Sequence, residues 1–262
     1  MDKRERTLAW LLLLLAVCVM AVSMDRLWEI RQMEQAGEEV YETMADKVKK
    51  PKQGRGRKEA MPQGAKTLPV VEIPSLDIDF GALKAINPDA VGWLYGPDTR
   101  IDYPVMRADD YNWYLHHLPD GTYNANGSLF LDYNNPSDFS GRLSIIYGHH
   151  MKSGKMFASL TKYKEQEYFD GHPYLYLYTE EENYRAELLY GCVVDAKEWR
   201  KRAFMFENNL SALLAYAAHH TTFTSHVSYK EEDRFLVLST CSYEFDDARY
   251  IVLGVLQPEY GK

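Results

Sequence analysis

The chain has 262 residues, 46% of them hydrophobic, with 20 Tyr, 10 Phe and a formal net charge of −8. That length suits one domain of about 150 to 200 residues with appendages, and the aromatic content supplies a sizeable core. Residues 68–262 hold 17 basic against 28 acidic side chains, a net −11, which argues against nucleic acid as a partner.

Lys3, Arg4 and Arg6 precede an uncharged apolar run from Leu8 to Met24, at the short end of the about 17 to 25 residues needed to span a bilayer. The basic flank predicts a cytoplasmic tail at residues 1–7, a span at 8–24 and everything later outside the cell. Ala21-Val22-Ser23 has the small-x-small form of a cleavage site, so a removed signal peptide is the competing reading. The run continues into a helical pattern, with Trp10 and Trp28 near the two expected interfaces, and this favours an uncleaved signal anchor. From Asp25 to Val48, Leu27, Ile30, Met33, Val40, Met44 and Val48 form one apolar stripe. Such a helix either packs on the main domain or forms a stalk. Pro51 to Thr67, with two Pro, three Gly and several Lys and Arg, reads as a solvated basic linker, so residues 25–67 are helix plus linker.

The ordered domain is expected over residues 68–262, from Leu68 onward, with a short helix or turn around Phe80 to Asn87. Apolar runs of strand type follow at Val91–Tyr95, Ile101–Met106, Ser128–Asp132, Leu143–Tyr147, Tyr174–Thr179, Tyr184–Val194, Arg234–Thr240 and Tyr250–Leu256. Pro97-Asp98 is a tight turn between the first two. Phe206 to His220 places Leu210, Leu213, Leu214 and Ala217 on one helical face, with Asn208 or Asn209 as cap. The fold class is therefore mainly β with added helices: an eight-stranded closed or nearly closed barrel, an N-terminal helix, and a helix before the last strand pair.

Three cysteines, Cys18, Cys192 and Cys241, do not make a disulfide framework. Cys18 lies in the apolar run. Cys192 falls in mid-strand and reads as core, although a Cys192–Cys241 bond is an alternative. Cys241 ends the run Val237-Leu238-Ser239-Thr240-Cys241, and Arg249 opens the next strand eight residues on. If those strands pair across the intervening connection, thiol and guanidinium share one rim of a sheet. A third strand, Leu143 to Tyr147, runs into Gly148-His149. Nearby cations favour the thiolate, which is the nucleophile; an imidazole can protonate a leaving amine, and Arg can donate two hydrogen bonds to an oxyanion. Arg249 also has acidic neighbours, Asp246 and Asp247, with which it could pair instead. Of the eight histidines no pair has metal-site spacing, so neither a metal nor a cofactor is expected. His150 would point away from His149 in extended backbone and is the weaker candidate.

Leu238-Ser239-Thr240-Cys241, Gly148-His149 about ninety residues earlier and Arg249 after it resemble the sortases, membrane-anchored cysteine transpeptidases of Gram-positive bacteria. The long His-to-Cys interval and Tyr147-Gly148-His149 are most similar to class B, over roughly Leu68 to Pro258. The resemblance implies Cys241 as nucleophile, His149 as acid and base, and Arg249 as oxyanion or carbonyl donor. It also implies substrate contacts near Ser239, Thr240 and Tyr147, and at Asn112 and Leu115 in Asn112-Trp113-Tyr114-Leu115. Ser242 stands where some class B members carry an acid. The helix before the Cys strand would wall the peptide groove. The implied partners are secreted proteins with a C-terminal sorting motif, cleaved after Thr, and an amine of the peptidoglycan cross-bridge or of lipid II. A secreted cysteine peptidase acting by hydrolysis and a non-catalytic wall-binding barrel are the alternatives.

Overall fold

The computed structural model describes residues 2–51, 76–203 and 210–259. One helix, α1 (Lys3–Val48), runs from the apolar stretch into the amphipathic one without a break. Its apolar window is long enough to cross a bilayer and none of it is buried in the fold. The C-terminal half does pack on the domain: Met44 and Val48 are buried with Phe80, Leu83, Trp93 and Tyr176. Two short strands, β1 (Lys49–Pro51) and β2 (Leu76–Ile78), pair antiparallel and were not expected; Pro51 thus ends a strand. The rest of the linker, and the domain start placed at Leu68, lie outside the described residues.

After α2 (Phe80–Ile86), capped by the Asp79 side chain on the Ala82 amide, come the eight expected strands. They are β3 (Ala90–Tyr95), β4 (Asp102–Met106), β5 (Leu129–Leu131), β6 (Leu143–Tyr147), β7 (Tyr174–Tyr178), β8 (Asn183–Asp195), β9 (Arg234–Cys241) and β10 (Ala248–Pro258). They close a barrel in the order β10-β8-β7-β3-β4-β5-β6-β9. The pairs β4/β5 and β6/β9 are parallel and the others antiparallel. A helix α3 (Gln166–Gly171) and a 3-10 turn (Phe157–Lys164) lie between β6 and β7.

The strands read as continuous apolar runs because both faces of the wall are covered. Leu236, Leu238, Ile146, Tyr250 and Val252 point into the barrel core. Their neighbours Phe235, Val237, Ile145, Ile251 and Leu253 face outward. That outer row packs under two helices, α4 (Ala196–Ala203), which was not expected, and α5 (Leu210–His220), through Trp199, Leu213, Leu214 and Ala217. The expected start of α5 at Phe206, and its cap at Asn208 or Asn209, fall outside the described residues. A second outer row, Trp93, Met106, Phe130, Tyr176 and Tyr178, packs under α1 and α2.

Candidate active site

Cys241 is the last residue of β9, and Arg249 is the second of β10. The antiparallel register sets the two directly opposite each other. Alternation along β9 puts Cys241 on the outward side with Ser239 and Val237, while Leu238 points inward. All three cysteines are free; Cys192 is buried and Cys241 is partly exposed. Burial pushes the Cys192 thiol up to about 12.

Strand β6 lies parallel beside β9, with Tyr147 opposite Ser239. Both chains then run two residues further, to His149 and Cys241, so the two residues follow neighbouring strand positions. Two bonds hold this step: the Gly148 amide donates to Ser239 O (3.2 Å), and Thr240 Oγ1 donates to Gly148 O (2.8 Å). Gly148 has no room for a side chain, since a Cβ there would stand 2.4 Å from Leu129 Cδ2 and 2.7 Å from Phe157 Cδ2. The Gly before the His is therefore a packing requirement of the fold.

His149 Nε2 lies 2.8 Å from Leu115 O. A carbonyl only accepts, so this nitrogen carries the proton and Nδ1 is the site free to exchange one. His150 Nδ1 donates to Cys241 O (3.1 Å), and its ring meets Tyr243 edge-on at 5.2 Å. The structure thus gives the neighbouring histidine a hold on the Cys241 backbone, which sequence order alone did not suggest. Arg249 Nη1 donates to Ala248 O at 2.9 Å. Among the described residues it forms no ion pair with Asp246 or Asp247; Asp247 lies 3.8 Å from Lys197 instead.

Ser239 and Thr240 are each 2% exposed, and the Thr240 hydroxyl is engaged by Gly148, so both tie strands together here. Tyr147 is half-buried and donates to the buried Asp132 carboxylate at 2.9 Å, which Tyr111 also reaches at 3.0 Å. Asn112 is exposed on a loop held by the Asp110 carboxylate, which accepts from the Asn112 and Trp113 amides at 2.7 and 2.8 Å. Those two bonds hold the Asp110 carboxyl below the usual range. Leu115, on the same loop, is the residue whose carbonyl meets His149.

Sequence reasoning missed Lys164 and Glu244. Lys164 Nζ, at the end of the 3-10 turn, bonds Ser242 Oγ (2.9 Å) and the Glu244 carboxylate, while Ser242 Oγ donates to the other Glu244 oxygen at 2.5 Å. Partial burial works upward on Glu244, but the Lys164 and Ser242 hydrogen bonds outweigh it and hold its carboxyl below the usual range. One acid of the loop after Cys241 is thus matched by a cation. Lys164 lies 78 residues from Ser242, and no local pattern announces it. Among the described residues no three His, Cys, Asp or Glu side chains converge as a metal site would need.

A partly exposed thiol with a guanidinium opposite it in register, and an imidazole two residues past the end of the neighbouring parallel strand, are groups suited to acyl transfer through sulfur. Comparison with known proteins agrees. The model of the sortase domain matches residues 94–257. Sortase B of Listeria monocytogenes is 34% identical over 178 residues, which cover 66% of this chain and 72% of that protein. A cysteine-to-serine mutant form of Clostridium perfringens sortase B superposes with a TM-score of 0.63 at 28% identity, covering 68% of this chain and 86% of that one. A Staphylococcus aureus sortase B–substrate complex gives 0.63 at 25% identity, covering 68% and 84%. The closed eight-stranded barrel, the matched domain and these relatives make this chain a member of the sortase family of cysteine transpeptidases, class B.

Proposed function

We propose that Cys241 attacks the carbonyl carbon of a Thr in a sorting motif near the C-terminus of a secreted protein. Cys241 first yields its thiol proton to His149 Nδ1; the carbon–sulfur bond then forms, the peptide C–N bond breaks, and Nδ1 passes that proton to the departing amine. Arg249 donates to the oxygen that gains charge, after exchanging its present bond to Ala248 O for that oxygen. An amine of the peptidoglycan cross-bridge or of lipid II then adds to the thioester carbon and yields its proton to His149. Cys241 leaves as thiolate and a new amide remains. The observation that carries this reading is the register that sets Arg249 against Cys241, with His149 stepping off the parallel strand alongside.

Substrate would lie at the Cys241 end of β9, beyond the helix cover, touching Tyr147 and the Asn112–Leu115 loop. The apolar part of α1 over residues 8–24 would anchor the protein by a single span, with residues 1–7 in the cytoplasm and the barrel outside. Incubating the full chain in lipid nanodiscs with sorting peptides tests the reading by mass spectrometry. An adduct of acyl mass on the Cys241 peptide, discharged to an amide by an added amine, is the expected result. Discharge to the carboxylic acid alone, whatever amine is supplied, would make the protein a peptidase.

A further inference from the structure

The lower half of α1 touches both segments that hold His149. Tyr41 Oη donates to Gly127 O at 2.6 Å and lies 3.4 Å from Ser128 Oγ. Gly127 has φ +57°, and a Cβ there would stand 2.6 Å from Tyr114 O and 2.7 Å from Leu115 O. Its backbone is therefore stacked on the carbonyl that receives the His149 Nε2 proton. Ser128 fastens the same contact, its amide on Tyr114 O and its hydroxyl on His117 O, both at 2.8 Å.

One turn earlier on the same helix, Glu38 forms an ion pair with Lys155 at 2.8 Å. Lys155 lies in the turn that returns to His149, where the Phe157 amide donates to His149 O at 3.0 Å and Met156 bridges His150. The Tyr41 ring meets Tyr103 edge-on at 5.1 Å, and Tyr103 Oη accepts from the Met156 amide at 3.2 Å. Glu38 and Tyr41, three residues apart on one helical face, thus grip both loops around one imidazole.

We propose that Tyr41 is a positioning residue for His149, acting through Gly127 and the Leu115 carbonyl by its hydroxyl alone. This rests on His149 being the acid and base. Tyr41 does not touch the reacting atoms. Its hydroxyl sits in a buried site that raises its pKa above the usual tyrosine range, so it stays a neutral donor. If the Leu115 loop slackens, the bond that keeps the proton on Nε2 lengthens and Nδ1 loses its defined role.

The test compares Tyr41→Phe, which removes one oxygen, with Met44→Ala one turn on. Met44 is buried in the apolar cluster of Trp93, Phe80 and Tyr114, and among the described residues its side chain makes no hydrogen bond to either loop. In the full chain in nanodiscs, Tyr41→Phe should lower kcat about tenfold with KM within about twofold. The nitrogen NMR shifts of neutral His149 should move from the Nε2–H tautomer toward a mixture. Met44→Ala should lower Tm at least as much and leave kcat and the tautomer unchanged. Wild-type kcat and tautomer in Tyr41→Phe would overturn the proposal, as would an equal kcat loss in Met44→Ala. Full activity in His149→Ala would instead remove the reading beneath it.

Discussion

Cys192 and Cys241 lie on strands that flank β10 on either side, opposite Ile251 and Arg249, two residues apart on that strand. Cys192 sits in mid-strand under α5, among Leu189, Val194, Leu213 and Leu214, and nothing near it favours an anion. Cys241 sits where the strand runs out beyond that cover, with a guanidinium opposite and a half-exposed imidazole segment alongside. Two identical side chains on one sheet therefore have opposite prospects. The helix cover decides the Cys192 side of the contrast, since a thiol surrounded by hydrocarbon keeps its proton.

The sharpest break in this comparison comes from removing the exposed sulfur. Cys241→Ala should abolish acyl-adduct formation, a loss on the order of 10⁴-fold or more, and His149→Ala should cost on the order of 10² to 10⁴-fold. Adduct mass and initial rates measure both, and an active Cys241→Ala variant would end the assignment.

Arg249 comes next. Arg249→Ala should lower kcat on the order of 10² to 10³-fold through lost oxyanion donors. Arg249→Lys should recover only part of this if two directed N–H groups are needed, and nearly all if positive charge suffices.

Alkylation measures the contrast itself. With its thiol pushed up to about 12, Cys192 is almost wholly protonated at pH 8. Iodoacetamide should label the Cys241 peptide at least about a hundredfold faster than the Cys192 peptide in folded protein. Equal rates would erase the distinction. Cys192→Ala should leave turnover intact and cost about 1 to 2 kcal/mol in denaturant titrations.

The smallest effect concerns the loop after Cys241. Glu244 is held below its unfolded value by Lys164 and Ser242. Its contribution to stability is therefore present above the unfolded pKa and lost as pH falls through the folded one. Lys164→Met should destabilise by about 1 kcal/mol at pH 7, since the pair is only partly open to solvent. It should make no difference at a pH acid enough to protonate Glu244 in the wild type. A pH series of thermal melts separates the two cases.

Much of the barrel was legible because each strand is an apolar run bounded by turn residues, such as Pro97-Asp98, where Asp98 adopts φ +56°. The helix α4 was missed, although the Asp195 carboxylate caps its Lys197 and Glu198 amides, because its basic, Trp-bearing sequence follows a long strand with no Gly or Pro between. The paired strands β1 and β2 were missed because each is three residues long and they meet across a wide interval. The thiol, the Gly-His step and the Arg could be read from local order and residue type. The Leu115 carbonyl, Lys164 and Tyr41 could not, because a backbone oxygen has no sequence signature and the other two act from remote parts of the chain.

The amino-acid order by itself determined where strands begin and end, and that a thiol, an imidazole and a guanidinium each stand at such an end. Backbone periodicity and side-chain chemistry are local properties that a linear reading captures. Tertiary structure alone decided which strand lies beside which, that Arg249 faces Cys241, that His149 has one nitrogen spoken for, and that the N-terminal helix grips the loops around it. Those relations depend on barrel closure and on contacts as long-range as Glu38 to Lys155, and packing of the whole chain selects them.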